Sequence, residues 1–218
     1  MFSGNDGFWR QLIVVRSRIR ESLEPTGRPE CEGGRGTPHP FNMKTWLADH
    51  TYEEYVKHQV LDKTPAAVLT ELGVSPGQVV LDFGCGAGIY TIPAARLVGE
   101  RGRVHALDIN RTHLDRMTER AKREGLPNIV GIASTGGSEI PLPRESLDVI
   151  LFIDVLHLIE KQDALFEEAR RTLKRGGVVC VYPMHISEEA VEALATRRDL
   201  TVEARRVQGR FLMFRNQP

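Results

Sequence analysis

Val79-Val80-Leu81-Asp82-Phe83-Gly84-Cys85-Gly86-Ala87-Gly88 decides the fold. An apolar run ends in an acid, glycines then occupy alternate positions, and Asp108 follows about one strand–helix unit later. A continuous apolar run of this kind suits a strand buried on both faces of a parallel sheet. Glycines at this spacing suit a sharp strand-to-helix turn whose backbone must lie against a ligand. The free amides at the start of the following helix add positive potential there. The stretch therefore predicts a nucleotide-type cofactor site, and its details narrow the cofactor.

A dinucleotide fingerprint requires a third glycine three positions beyond the second. Ile89 stands there, and the third glycine comes one step early, at Gly88. Asp82 also argues against a pyrophosphate, which a carboxylate would repel, and favours a cationic amino or sulfonium ligand. The loop suits a cofactor without phosphates.

Working outward, strands and helices alternate. Strands are expected at Arg103 to Asp108, Asn128 to Ala133, Leu147 to Ile153 and Val178 to Tyr182. Helices are expected from about Tyr90 to Val98, Arg111 to Glu124, Gln162 to Leu173 and Ser187 to Arg198, with Pro93 tolerated in the first turn of its helix. Leu114, Met117 and Ala121 share one face of the second of these. Lys174-Arg175-Gly176-Gly177 reads as a basic last turn closed by glycine. Leu200 to Val207 and Arg210 to Phe214 read as a hairpin around Gln208-Gly209. Upstream, Thr51 to Leu72 reads as a helix in two pieces, broken near Pro65. The sum is an α/β protein with a doubly wound, mostly parallel seven-stranded sheet and an antiparallel C-terminal hairpin.

Residues 1–42 are punctuated by glycine and proline without sustained periodicity, which predicts a flexible extension before a domain at residues 43–218, with Met43 as a candidate natural start. In 218 residues with 41% hydrophobic content there is room for one sizeable α/β core. Formal net charge is +0, so no overall electrostatic footprint for nucleic acid exists. The late arginines (Arg197, Arg198, Arg205, Arg206, Arg210 and Arg215) read as a solvated face. No run is long enough to span a bilayer. Cys31, Cys85 and Cys180 lack metal-ligand spacing, no metal is expected, and the setting reads as reduced and cytoplasmic.

Asp82-Phe83-Gly84-Cys85-Gly86-Ala87-Gly88 resembles the D-x-G-x-G-x-G motif of class I S-adenosylmethionine-dependent methyltransferases. Further matches occur in family order. Leu107-Asp108-Ile109-Asn110 is similar to the family's acidic end of the second strand, and Ser146-Leu147-Asp148-Val149-Ile150 to its entry into the fourth. Leu156-His157 resembles the family's "LH" and Leu173-Lys174-Arg175-Gly176-Gly177 its "LKPGG". The resemblance covers about Leu72 to Val181 and is nearest in flavour to the quinone-biosynthesis methyltransferases and their small relatives.

The resemblance implies S-adenosylmethionine as cofactor. It implies Asp82, Phe83, Gly84, Gly86 and Gly88 as contacts from the first motif, and Asp108, with Ile109 beside it, at the ribose. Asp154 would lie at the mouth where cofactor and acceptor meet. The usual acid after the third strand is replaced by Ala133-Ser134-Thr135-Gly136-Gly137-Ser138-Glu139, which leaves the adenine to backbone amides, Ser138 or Glu139. Asp148 reads as structural. Asp154, His157, His185, His50, Tyr52 and Tyr55 are candidate bases, and none is singled out. The expected acceptor is a small organic molecule, with RNA or protein, or a non-catalytic supporting subunit, as alternatives.

Overall fold

The computed structural model describes residues 63–217. The expectations for residues 1–42, for Met43, for the first helical piece and for His50, Tyr52 and Tyr55 lie outside the described residues.

Helix α1 (Pro65–Glu71) begins at Thr64, whose hydroxyl accepts from the Ala67 amide at 3.3 Å, with Pro65 in the first turn where its missing N–H costs nothing. The alternation then runs β1 (Val79–Phe83), α2 (Thr91–Val98), β2 (Arg103–Asp108), α3 (Arg111–Arg123) and β3 (Ile129–Ala133). It continues with β4 (Leu147–Ile153), a 3-10 turn (Leu156–Leu158), α4 (Gln162–Thr172), β5 (Leu173–Tyr182), α5 (Glu188–Thr196), β6 (Leu200–Arg206) and β7 (Phe211–Asn216). One seven-stranded sheet has the order β3-β2-β1-β4-β5-β7-β6. Pairings from β3 to β5 are parallel, and β7 pairs antiparallel with both β5 and β6.

Strand periodicity divides the core. Val80, Val104, Val149 and Leu151 face the side covered by α1 and α2, packing with Val68, Leu69 and Ala94. Leu81, Phe83, Ile150 and Phe152 face the other side, against Leu165 and Phe166 of α4 and Val191 of α5. Helices thus cover both faces, which is the arrangement that buries parallel strands.

Two expectations need correction. Lys174 to Gly177 is not a helix cap: α4 stops at Thr172, and residues 173–177 begin a ten-residue strand. The cause is pairing, since Leu147 pairs with Leu173 before an irregularity brings Val149 opposite Val178. The last turn-forming residues also begin earlier, with Val207, Gln208 and Gly209 all at positive φ. Val207 accepts that conformation because its side chain is fully buried and its amide donates to Glu71 at 2.7 Å.

Asp148 is structural, as expected. Its carboxylate accepts from the Val79 amide at 2.7 Å, and both its oxygens accept from Lys174 Nζ, at 2.8 and 2.9 Å, clamping the starts of β1, β4 and β5. Asp148→Ala should lower stability by about 1–2 kcal/mol, chiefly through the orphaned amide, because the lysine pair is half exposed. Thermal unfolding would show that loss, with affinity for the cofactor unchanged.

Candidate functional site

The strand order reverses between β1 and β4, because β1 continues to β2 on one side while β4 leads to β5 on the other. In open α/β sheets ligands settle outside the carboxyl ends of the strands at such a point. The glycine loop follows β1 there, and Asp154 follows β4.

The three glycines differ in what surrounds them. A Cβ at Gly84 would lie 2.6 Å from Val155 Cγ2, and one at Gly88 2.5 Å from Met117 Cγ. Those two permit close packing. Gly86 has φ +52°, and a Cβ there would meet nothing within 4 Å. Its open side is the free face of the loop. The loop is tied to β2 by the Gly84 and Cys85 amides, which donate to the Leu107 carbonyl at 2.8 and 3.0 Å.

Asp108 locks the same turn. One carboxylate oxygen accepts from the Gly86 amide at 2.8 Å and the other from the Asn110 amide at 2.8 Å. It is not the cap of α3. That role belongs to Asn110, whose side chain accepts from the Thr112 and His113 amides. Each Asp108 oxygen keeps a lone pair for a further donor. Ile109, beside it, is 68% exposed, an apolar side chain left facing out at the strand end. Gly136 lies against it, since a Cβ there would be 3.9 Å from Ile109 Cγ2.

Asp82 is almost wholly buried and points to the α2 face, accepting from the Thr91 hydroxyl at 2.6 Å. Burial pushes its carboxyl up to about 6, the Thr91 bond opposes that, and the nearby Asp108 charge adds to it. Thr91, which the motif did not indicate, is thereby a supporting residue. Neither Asp82 nor Asp108 has an ion-pair partner among the described residues. Two neighbouring carboxylates without a cation form a fitting receptor for a positively charged ligand.

The Phe83 ring packs in the core, edge-on to Phe152 at 5.6 Å, so only its backbone could touch a cofactor. Ser138 is half-buried and Glu139 exposed, and the loop before them is shaped by Ser134, whose hydroxyl accepts from the Gly136 amide at 3.1 Å. Cys85 is buried, and burial, then the Asp82 and Asp108 charges, hold its thiol protonated.

Asp154 sits at φ +53° just past β4, its amide near the Tyr182 carbonyl of β5. Its Oδ1 lies 3.6 Å from His157 Nδ1 and 3.5 Å from His185 Nε2. Burial raises the Asp154 carboxyl, while His185 and then His157 draw it back down. The structure thus brings together three of the candidate bases, from the ends of two different strands. The expectation of no metal had no means of seeing this cluster, since it was drawn from cysteine spacing.

A polar depression of about 270 Å³ lies at the opposite end of the sheet, around Gln78, Asp148 and Arg215. It is lined by the structural clamp and stands apart from this chemistry. The late arginines are largely engaged as expected of a solvated face: Arg205 pairs with Glu188 and Glu192, Arg197 with Asp163 and Arg215 with Glu203.

A family model described as a methyltransferase domain matches residues 74–207, which span every element from β1 to β6. The chain belongs to the class I S-adenosylmethionine-dependent methyltransferases. A sterol 24-C-methyltransferase of Yarrowia lipolytica is 27% identical over 206 residues, covering 89% of this chain and 53% of that protein. A ubiquinone/menaquinone biosynthesis C-methyltransferase of Vibrio vulnificus is 33% identical over 109 residues, covering 50% and 42%. The chain thus spans about half the length of these curated relatives. Among solved structures, a methyltransferase of Aquifex aeolicus aligns with a TM-score of 0.63 at 22% identity, covering 77% of this chain and 94% of that one, a likeness of fold.

As a methyltransferase of this class the protein uses S-adenosylmethionine. The residues fit that cofactor on three counts: the open face at Gly86, the uncompensated carboxylates, and the outward Ile109 beside Asp108. No helix among the described residues is long and apolar enough to cross a membrane.

Proposed function

We propose that this methyltransferase, within a domain at residues 43–218, acts on a small organic acceptor bound in the crevice between the glycine loop and Asp154. The observation that carries the reading is the juxtaposition of those two elements at the reversal of strand order. The acceptor class is supported by the activities of the curated relatives, which are sterol and quinone C-methyltransferases. Among the late arginines, Arg197, Arg205 and Arg215 are held by carboxylates, which makes them less available to a phosphate backbone.

In this reading Gly84, Gly86 and Gly88, with the Phe83 backbone, form the bed of the cofactor. Asp108 accepts from the ribose hydroxyls, Ile109 lies against the base, and Ser138 reaches its edge. Asp82 supplies negative charge beneath the cationic part. S-adenosylmethionine, when bound, supplies a methyl group already activated on sulfur. The protein's work is to hold the acceptor in line with that methyl group and to keep water out. Asp154, at the acceptor end, serves both partners by position.

A radiolabelled-methyl assay on fractionated cell extract tests the acceptor class. Label in the small-molecule fraction is expected. Label confined to RNA or protein would overturn the proposed acceptor and leave the methyltransferase assignment standing.

Asp82 makes the cofactor's affinity depend on pH. A raised carboxyl means the empty folded protein holds a proton that the unfolded chain has lost, so the contribution of Asp82 to stability falls as pH rises from about 4 to about 6 and is flat above. A cationic ligand prefers the ionised form, so affinity should rise as pH climbs through about 6, by up to about tenfold per pH unit on the acid side. Calorimetric titrations from pH 5 to 8 would measure this, and Asp82→Asn should flatten the profile and weaken binding at pH 8.

A further inference from the structure

Asp154 Oδ1 is fully buried, and among the described residues it accepts no hydrogen bond. Buried carboxylate oxygens are normally satisfied, and an orphan asks for a donor or a cation. Two imidazole nitrogens converge on this one oxygen at 3.5 and 3.6 Å. Those separations are too long for good hydrogen bonds, which fall at about 2.7–3.2 Å. They are close to what an ion held between the atoms requires. With metal–ligand bonds of about 2.0–2.2 Å in tetrahedral array, neighbouring donor atoms stand about 3.4 Å apart. The two Asp154 separations are already near that value, and all three ligand atoms lie within 4.8 Å of one another, so a closure of at most about 1.4 Å completes the set.

We propose that Asp154, His157 and His185 form a binding site for one divalent transition-metal ion at the acceptor side of the cofactor crevice. Two imidazoles and one carboxylate are the donor set of zinc and of non-haem iron(II) sites that keep open coordination positions. The side chains are placed for it by the fold. Asp154 turns out of β4 in a left-handed conformation, a strain that asks for a purpose. His157 stands in the 3-10 turn three residues later, with its ring edge-on to that of His185 at 4.5 Å between centroids. His185 follows the end of β5, the neighbour of β4. Val155, between the first two ligands, packs on Gly84, so the metal would sit one residue from the glycine loop.

Both histidines are partly exposed, at 30% and 42% of their side chains, so the site opens towards solvent. Its free positions would take an oxygen or nitrogen of the acceptor. This last step rests on the proposed function, and it specifies the acceptor as one carrying a donor atom near the carbon, oxygen or nitrogen to be methylated.

The test uses the full-length, untagged protein, stripped with a chelator and dialysed against Zn2+ or Co2+. Metal analysis should find one ion per chain in the wild type. Asp154→Ala, His157→Ala and His185→Ala should each weaken binding by roughly 100-fold or more, above the 10–100-fold typical of losing a mere supporting partner. The Co2+ form should show visible absorption bands that shift on adding acetohydroxamate, a bidentate oxygen ligand that would fill the open positions. No bound metal in the wild type, or variants that bind it as tightly as the wild type does, overturns the site. Bands indifferent to acetohydroxamate overturn its acceptor-facing role. Melting curves establish that each variant is folded, and Asp154→Asn, which keeps the shape, must lose the metal as well. Parallel titration of every sample with S-adenosylmethionine keeps the two readings apart, because failure to bind the methyl donor leaves the metal result intact.

Discussion

Replacing Asp108 with alanine should weaken S-adenosylmethionine binding by roughly 100-fold, the equivalent of about 3 kcal/mol. The carboxylate accepts from the amides of Gly86 and Asn110, and each charge-assisted bond of this kind contributes about 1.5–3 kcal/mol. Its removal frees the glycine turn from β2 at the point where the turn must present its open face. It also removes the acceptor assigned to the ribose. Asp108→Asn should fall between, because one oxygen remains to receive one amide while the new NH2 opposes the other. Calorimetric titration gives the affinities, and a melting curve gives the separate cost to the fold. Unchanged affinity in Asp108→Ala would remove this residue from the cofactor site.

The second large effect separates two glycines that look alike in sequence. Gly88→Ala should destabilise the protein by roughly 2–5 kcal/mol. A side chain at φ +86° costs about 1–2 kcal/mol, and overpacking against Met117 costs about 1–3 more. Gly86→Ala should cost only about 1 kcal/mol, because its backbone is near the left-handed region other residues can reach and its Cβ meets nothing. Yet that methyl group would stand where the cofactor must approach the backbone. Loss of affinity in a protein that melts nearly as the wild type is the expected signature. A Gly86→Ala variant that binds S-adenosylmethionine normally would show that the loop's free face is not the cofactor bed.

The sequence made the glycine turn legible because its signal is contiguous: an apolar strand, an acid and glycines on alternate positions. Asp108 and a structural role for Asp148 are legible for the same reason, each at a strand end whose limits periodicity marks, whereas the partners that Asp148 clamps are not. What it hid were relations across the sheet. That Asp82 faces Thr91, and that the Phe83 ring turns into the core, follow from strand parity combined with the position of α2. Asp154, His157 and His185 meet because β4 and β5 are neighbours, and spacing along the chain carries no trace of that. The strand beginning at Leu173 carries a Lys-Arg-Gly-Gly composition that suits a helix cap, and pairing with β4 overrides that local preference.

The burial of Asp82 reaches into the heat of binding. Near pH 6 the empty protein carries a fraction of a proton on this carboxylate, and a cationic ligand expels it. The released proton passes to the buffer, so the enthalpy recorded for S-adenosylmethionine should differ between phosphate and a buffer of high ionisation enthalpy, although the affinity is the same in both. Above about pH 7 that difference should vanish. A carboxylate almost wholly out of solvent would thus be reported by the buffer's own chemistry.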